Sequence, residues 1–302
     1  MGIKSLLIEY LQGLQAGGVL RLPVDEQARI VLREWMRAAR HGGVRVPSAA
    51  APESPAELGQ AIADLRESLE DAAVRPAGEE AEEDRLYFRP AGNTAEELWD
   101  QAQQLLLRWP PLKDLGTLRD TPVWSEGNRT ADIMFVGDAP NYYDEQTGRP
   151  FSGEAGAKLD GMLKAMGLTR RQVYITHLVK FRPMVPRQTF NNRPPGRDEV
   201  RFSVPVVEFE VKMVQPKVIV ALGVIAARAL LGKEELPLAA CQQIAHAQFC
   251  GVPVVVTHHP SYLLRTTSIP ERRRLWEEML RVMEMAQLPI SEKQRGYFLP
   301  KN

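Results

Sequence analysis

The chain has 302 residues, 44% hydrophobic and 25% charged, enough to bury one main core and to carry an appended segment besides. Its two cysteines, Cys241 and Cys250, exclude a disulfide framework and a four-cysteine cluster within one chain. Lys+Arg and Asp+Glu are equal at 38 each, but residues 1–100 hold 11 against 18 and the remainder 27 against 20, so a balance of −7 precedes one of +7. The later surplus suits phosphate contacts as well as it suits an ordinary solvated surface. Apolar spacing predicts helices over 3–16 and 24–40 (Leu6, Tyr10, Leu14; Ile30, Trp35). A linker with Pro47, Pro52 and Pro55 covers 41–56, with Ser54-Pro55-Ala56-Glu57 a helix opening, and an acidic, apolar-poor run covers 76–84. A further helix should run from about Thr94 to Arg108, capped by Asn93 or Thr94.

From residue 131 the pattern is regular. Apolar runs at 131–137, 173–179, 217–223 and 252–257 alternate with helical stretches at 154–166, 198–214, 224–231 and 270–286. That alternation predicts an α/β fold of three layers, αβα, around a mainly parallel four-stranded sheet, with 1–95 as a helical appendage and 96–302 as the main domain. The apolar run Val218–Leu222 is too short to cross a bilayer, and Lys4 and Glu9 interrupt the apolar start, so a cytoplasmic protein is expected. Ligands of such sheets bind outside the carboxyl ends of the strands. Each strand here runs into a polar motif, Gly137-Asp138-Ala139-Pro140, His177-Leu178-Val179-Lys180, Leu222-Gly223 and His258-His259-Pro260-Ser261, which together define one cleft.

Those motifs carry a family resemblance over roughly 119–285. Ile133-Met134-Phe135-Val136-Gly137-Asp138-Ala139-Pro140, followed by Gly148-Arg149-Pro150-Phe151-Ser152-Gly153-Glu154-Ala155-Gly156, resembles the first motif and uracil loop of family-four uracil-DNA glycosylases, which read G-E-A-P-G and G-x-P-F-V-G-x-A-G. Val173-Tyr174-Ile175-Thr176-His177-Leu178-Val179-Lys180-Phe181-Arg182-Pro183 is similar to their V-Y-I-T-N-x-V-K-x-R-P, and Pro216–Gly223 to their central strand. His259-Pro260-Ser261-Tyr262-Leu263-Leu264-Arg265 resembles their H-P-x-x-L-x-R. The resemblance implies excision of uracil or a related deaminated base from DNA by hydrolysis of the N-glycosidic bond.

Such chemistry passes through an oxocarbenium-like sugar and a departing base anion, and the base must first be flipped from the stack. The resemblance makes Asp138 the group that positions water, with Glu154 the runner-up, and makes His259 the donor to the base oxygen, His258 being a bystander. Gly137, Ala139, Pro140 and Asn141 would wall the pocket, Phe151 would stack on the base and His177 would read its edge. Leu263 would wedge into the vacated stack, with Lys180, Arg182, Arg187, Arg193, Ser261 and Arg265 on the DNA.

The departures are as specific as the matches. The family's iron–sulfur cysteines fall on Pro110, Lys113 and Ser203, so no cofactor or metal is expected, and Trp109, Trp124 and the N-terminal helices are candidates to hold those loops instead. Asp138 replaces a Glu, shortening the reach by about 1.5 Å, and Asn141 replaces a Gly. His177 stands where an Asn supplies an amide, and the loop 185–193 is longer than usual and contains no His. These changes leave a rival reading open, a weak or inactive DNA-binding, damage-sensing homologue. A monomer is expected, with the appendage available to a protein partner.

Overall fold

A computed structural model describes residues 88–299. The expected helices at 3–16 and 24–40, the linker and the acidic run lie outside the described residues.

Helix α1 (Ala95–Leu107) starts at a capping box, Thr94 accepting from the Glu97 N–H while the Glu97 carboxylate accepts from the Thr94 N–H. Its buried face is Trp99, Ala102 and Leu106. Then follow α2 (Pro110–Lys113), β1 (Leu118–Pro122), β2 (Glu126–Gly127), β3 (Ile133–Gly137), α3 (Tyr142–Thr147), α4 (Glu154–Met166), β4 (Tyr174–His177), β5 (Phe181–Pro183), α5 (Arg197–Val214), β6 (Val218–Leu222), α6 (Val224–Leu231), α7 (Leu238–Gln242), β7 (Gln248–Phe249), β8 (Val252–Thr257), a 3₁₀ turn (Pro260–Leu264), α8 (Ile269–Met285) and α9 (Glu292–Arg295). No described helix is long and apolar enough to cross a membrane.

The main sheet has the order β2-β4-β3-β6-β8-β7. Its four central strands are parallel, as the alternation of strand and helix patterns requires. The structure adds an antiparallel strand at each edge; both are only two residues long, too short to leave a period in the sequence. β1 and β5 form a separate antiparallel pair. The chain runs from β3 to β4 on one side and returns to β6 on the other, so the order reverses between β3 and β6, the place where such sheets open a crevice at their carboxyl edge.

Strand residues divide by parity between two cores. Met134, Val136, Ile219, Ala221, Val254 and Val256 face the layer holding α1, α5 and α6. Ile133, Phe135, Val218, Val220 and Val255 face α4 and α8. Both faces of every central strand are therefore buried, which is why they read as unbroken apolar runs. Phe88, in the segment assigned to the appendage, packs edge-on to Trp109 at 5.4 Å and to Phe209 at 5.8 Å, so the packed core begins ahead of residue 96.

Candidate active site at the carboxyl ends of the strands

The ends of β3 and β4 are stitched together: the Leu178 N–H donates to Gly137 O (2.8 Å) and the Val179 N–H to Asp138 O (3.0 Å). The Gly223 N–H donates to Thr257 O (2.9 Å), which fixes β6 against β8 just before His258 and His259. Gly223 has φ +95°, a value L side chains rarely adopt, and a Cβ there would approach the His259 Cβ to 3.1 Å.

After β3 the chain turns into α3, capped by the Asn141 side chain, which accepts from the N–H groups of Tyr143 (2.7 Å) and Asp144 (3.2 Å). Left-handed Gly148 ends α3, and Phe151, at φ 56°, swings its ring inward. Arg170 holds that turn by donating to Pro150 O (2.9 Å) and Phe151 O (2.6 Å), while ion-paired to Glu126 and Asp160.

Four of the expected site residues meet here. The buried Phe151 ring stacks on His177 at 4.6 Å between centroids and tilts against His259 at 5.6 Å. The His259 Nε2 is 3.8 Å from Asp138 Oδ1, with both side chains about a third exposed. The His259 Nδ1 accepts from the Ser261 N–H (3.2 Å) and lies 2.8 Å from the Ser261 hydroxyl, so in the neutral ring Nε2 carries the proton. Burial holds the His259 ring below the usual histidine value, opposed by the charges of Asp138 and Asp144. In its neutral form, which burial favours, His259 carries its N–H on the nitrogen nearer the Asp138 carboxylate. Asp138 itself accepts from the Ala139 N–H at 2.9 Å.

Sequence reasoning missed Asp144, which is buried beneath these residues. Its Oδ1 accepts from the Ser152 N–H (2.6 Å), and its Oδ2 accepts from the Asn141 N–H (3.1 Å) and faces His177 Nε2 at 3.2 Å. Burial alone pushes its carboxyl up, but the His177 hydrogen bond and the two backbone N–H groups outweigh that and hold it below the ordinary value. Gly137 lies against the same rings: a Cβ on it would stand 2.5 Å from Phe151 Cζ and 2.6 Å from His177 Nδ1.

Two of the expected DNA contacts are corrected. Lys180 is fully buried, donating to Glu210 (2.6 Å), Thr176 (2.5 Å) and His177 O (2.6 Å). Arg182 is equally buried, held by Glu145 (3.0 Å), Asn192 and the carbonyls of Thr189 and Asn191. Neither reaches a surface on which a phosphate could lie. Arg193 has its guanidinium committed to Glu199 at 2.6 and 2.8 Å and to three carbonyls. Arg187 and Arg265 are exposed, and Ser261 and Leu263 half-buried, with Leu263 packed toward Met162 and Leu275. Glu154 is exposed in the first turn of α4 and has no hydrogen bond or ring contact to Asp138, Phe151, His177 or His259 among the described residues. There too, no group of three or more His, Cys, Asp or Glu side chains is placed to hold a metal.

With this geometry in hand, comparison with known proteins gives a definite match. The model of the uracil DNA glycosylase superfamily fits residues 124–281. The chain belongs to that superfamily. It is 35% identical over 161 residues to the type-4 uracil-DNA glycosylase of Thermotoga maritima, covering 53% of this chain and 81% of the relative. The type-4 enzyme of Sulfurisphaera tokodaii is 32% identical over 182 residues, 58% and 79% of the two chains. A type-5 uracil-DNA glycosylase of Pyrobaculum aerophilum is 33% identical over 162 residues, 48% and 67%. The superfamily match spans every strand end of the cleft and stops short of residues 1–123.

Proposed function

We propose that this protein is a DNA glycosylase that hydrolyses the N-glycosidic bond of uracil or a related deaminated base, as the entry step of base excision repair. One observation carries the reading: His259, whose Nδ1 accepts from the Ser261 N–H, places Nε2 3.8 Å from Asp138 Oδ1 at the mouth of the strand ends. A base flipped in beside this pair would receive the N–H on the oxygen where charge gathers as the bond breaks, and Asp138 would hold the attacking water on the sugar side. Phe151 closes the base pocket, Leu263 fills the vacated stack, and Ser261, Arg187 and Arg265 meet the backbone. Relatives named type-4 and type-5 uracil-DNA glycosylases support the reaction class. The test is single-turnover cleavage of single- and double-stranded oligonucleotides bearing uracil, hypoxanthine or xanthine. Abasic product from at least one is expected, and product from none refutes the assignment.

A damage-binding role without turnover is the second reading, favoured by His177, whose ring lies over part of the face that Phe151 would offer to a base. Tight, base-selective binding with no abasic product would select it.

The iron–sulfur cluster belongs to the resemblance and does not fit this chain. The chain has only two cysteines, the resemblance sets Pro110, Lys113 and Ser203 at the cluster positions, and the Ser203 hydroxyl donates to Glu199 O at 2.7 Å. Trp109 Nε1 donates to Phe202 O, and Trp99 packs on Phe209 at 5.2 Å, so aromatic packing joins α1 and α5 in this region. The purified protein should contain no iron by elemental analysis; stoichiometric iron contradicts this.

A further inference from the structure

His177 is buried, yet its Nδ1 has no hydrogen-bond partner. An orphaned buried polar atom is costly, and this one is packed against the Phe151 ring and Gly137 at the end of β3. By itself a histidine can turn either a donor or an acceptor toward a ligand. Its other nitrogen removes the choice. Nε2 lies 3.2 Å from Asp144 Oδ2, and an ionised carboxylate only accepts, so in the neutral ring the proton sits on Nε2 and Nδ1 keeps a bare lone pair. Asp144 cannot turn aside, because the Ser152 N–H pins its Oδ1 and the Asn141 N–H its Oδ2.

We propose that Asp144 is a positioning residue that fixes the tautomer of His177, so that the pocket reads its base through one acceptor, Nδ1, and takes bases that present a ring N–H. The proposal rests on the glycosylase reading of the same site. A side-chain amide offers a donor and an acceptor in one plane and so reads a ring N–H together with its neighbouring carbonyl. A lone acceptor reads the N–H alone. Cytosine and adenine present a bare ring nitrogen at that edge, which would meet lone pair with lone pair. Deamination converts that nitrogen to N–H in uracil and in hypoxanthine alike, so a single contact separates damaged from parent base while asking little about the rest of the ring.

Nitrogen NMR of the full chain without DNA should show His177 protonated at Nε2 and bare at Nδ1; the opposite assignment overturns the proposal. Single-turnover excision should favour uracil over 3-deazauracil, whose ring N–H is replaced by C–H. Normalised to the same ratio in His177→Ala, which removes intrinsic differences between the leaving groups, the preference should be roughly 5- to 150-fold, the range for leaving one buried partner unmet. A normalised ratio near one overturns it. Asp144→Asn, which can donate to Nε2 and push the proton to Nδ1, should collapse the ratio. The same substitution in a His177→Asn background should leave the ratio unmoved, because the carboxylate acts through the ring. A merely structural Asp144 would instead slow both bases alike, and that outcome counts against the proposal. Should Asp144→Asn fail to fold, the wild-type spectrum and the normalised ratio decide. If no base is excised at all, the glycosylase reading fails separately, and the spectrum with the relative affinities for the two oligonucleotides decides the tautomer and the contact.

Discussion

His259 and His177 face the same cleft with opposite hydrogen-bonding character, and in each case a neighbour on the far side of the ring sets it. The Ser261 N–H points at His259 Nδ1 and leaves Nε2 to carry the proton; Asp144 accepts from the His177 Nε2–H and leaves Nδ1 bare in the neutral ring. If the His259 N–H stabilises the departing base, His259→Ala should slow single-turnover cleavage by about 10²–10³-fold, the usual loss for one preorganised oxyanion donor. Affinity for undamaged DNA should hardly change, and cleavage at the parent rate would show that the pocket is wrongly placed. The family resemblance singled out Phe151 and His259, each in a short run rich in glycine or proline, and the structure brings the two rings to 5.6 Å. It missed Asp144 because an acidic residue in the first turn of a helix needs no more explanation than the helix dipole. Lys180 and Arg182 misled in the other direction. A positive charge reads as surface, and only the fold reveals that Glu210 and Glu145 were buried to meet them.

The main-sheet strands and their covering helices follow from alternating apolar runs, and helices expected at 154–166 and 224–231 end where the structure ends them. The sequence does not announce β2, β7 or α3, because two- and six-residue elements hold no full period of either kind. Helix α8 carries a further feature that patterning hides. Its Glu278 is tucked against the sheet, accepting from the Gln242 amide at 2.6 Å through one oxygen, with the Thr257 hydroxyl at the end of β8 beside the carboxyl. Burial pushes this carboxyl up to about 7. The folded protein therefore keeps a proton that the unfolded chain releases above its ordinary value of about 4.5. Stability from this group is full below that value, declines as pH rises toward 7, and is flat beyond. Glu278→Gln, neutral at every pH, should raise stability at pH 8 by on the order of 1–3 kcal/mol and raise it little near pH 4. Thermal unfolding at the two pH values measures this; an equal change at both would mean that the carboxyl is ionised in the fold.

Across the whole molecule the charge is divided along the chain: residues 1–100 carry the excess of acid, and residues 101–302 the excess of base. Lys180 and Arg182 are each buried against a carboxylate, Glu210 and Glu145, so these pairs leave the surplus unchanged while taking two cations away from the DNA. Exposed Arg187 and Arg265 remain, on the loop after β5 and at the end of the 3₁₀ turn after β8. A face with few phosphate contacts predicts a shallow salt dependence, log affinity falling by about 0.7–0.9 per contact for each tenfold rise in salt. Removing the acidic segment should preserve or tighten binding, since it takes away net repulsion of the phosphates. The cut belongs at residue 87, because Phe88 packs against Trp109 and Phe209, and its loss would open the core beside α1. Titrating the full chain and the shortened chain with a uracil-bearing oligonucleotide across a salt series tests both expectations. Parallel salt slopes with equal or tighter binding for the shortened chain are expected. Binding that disappears with residues 1–87, while thermal unfolding shows the rest intact, would move the DNA-binding face to the N-terminal segment and away from the carboxyl ends of the strands.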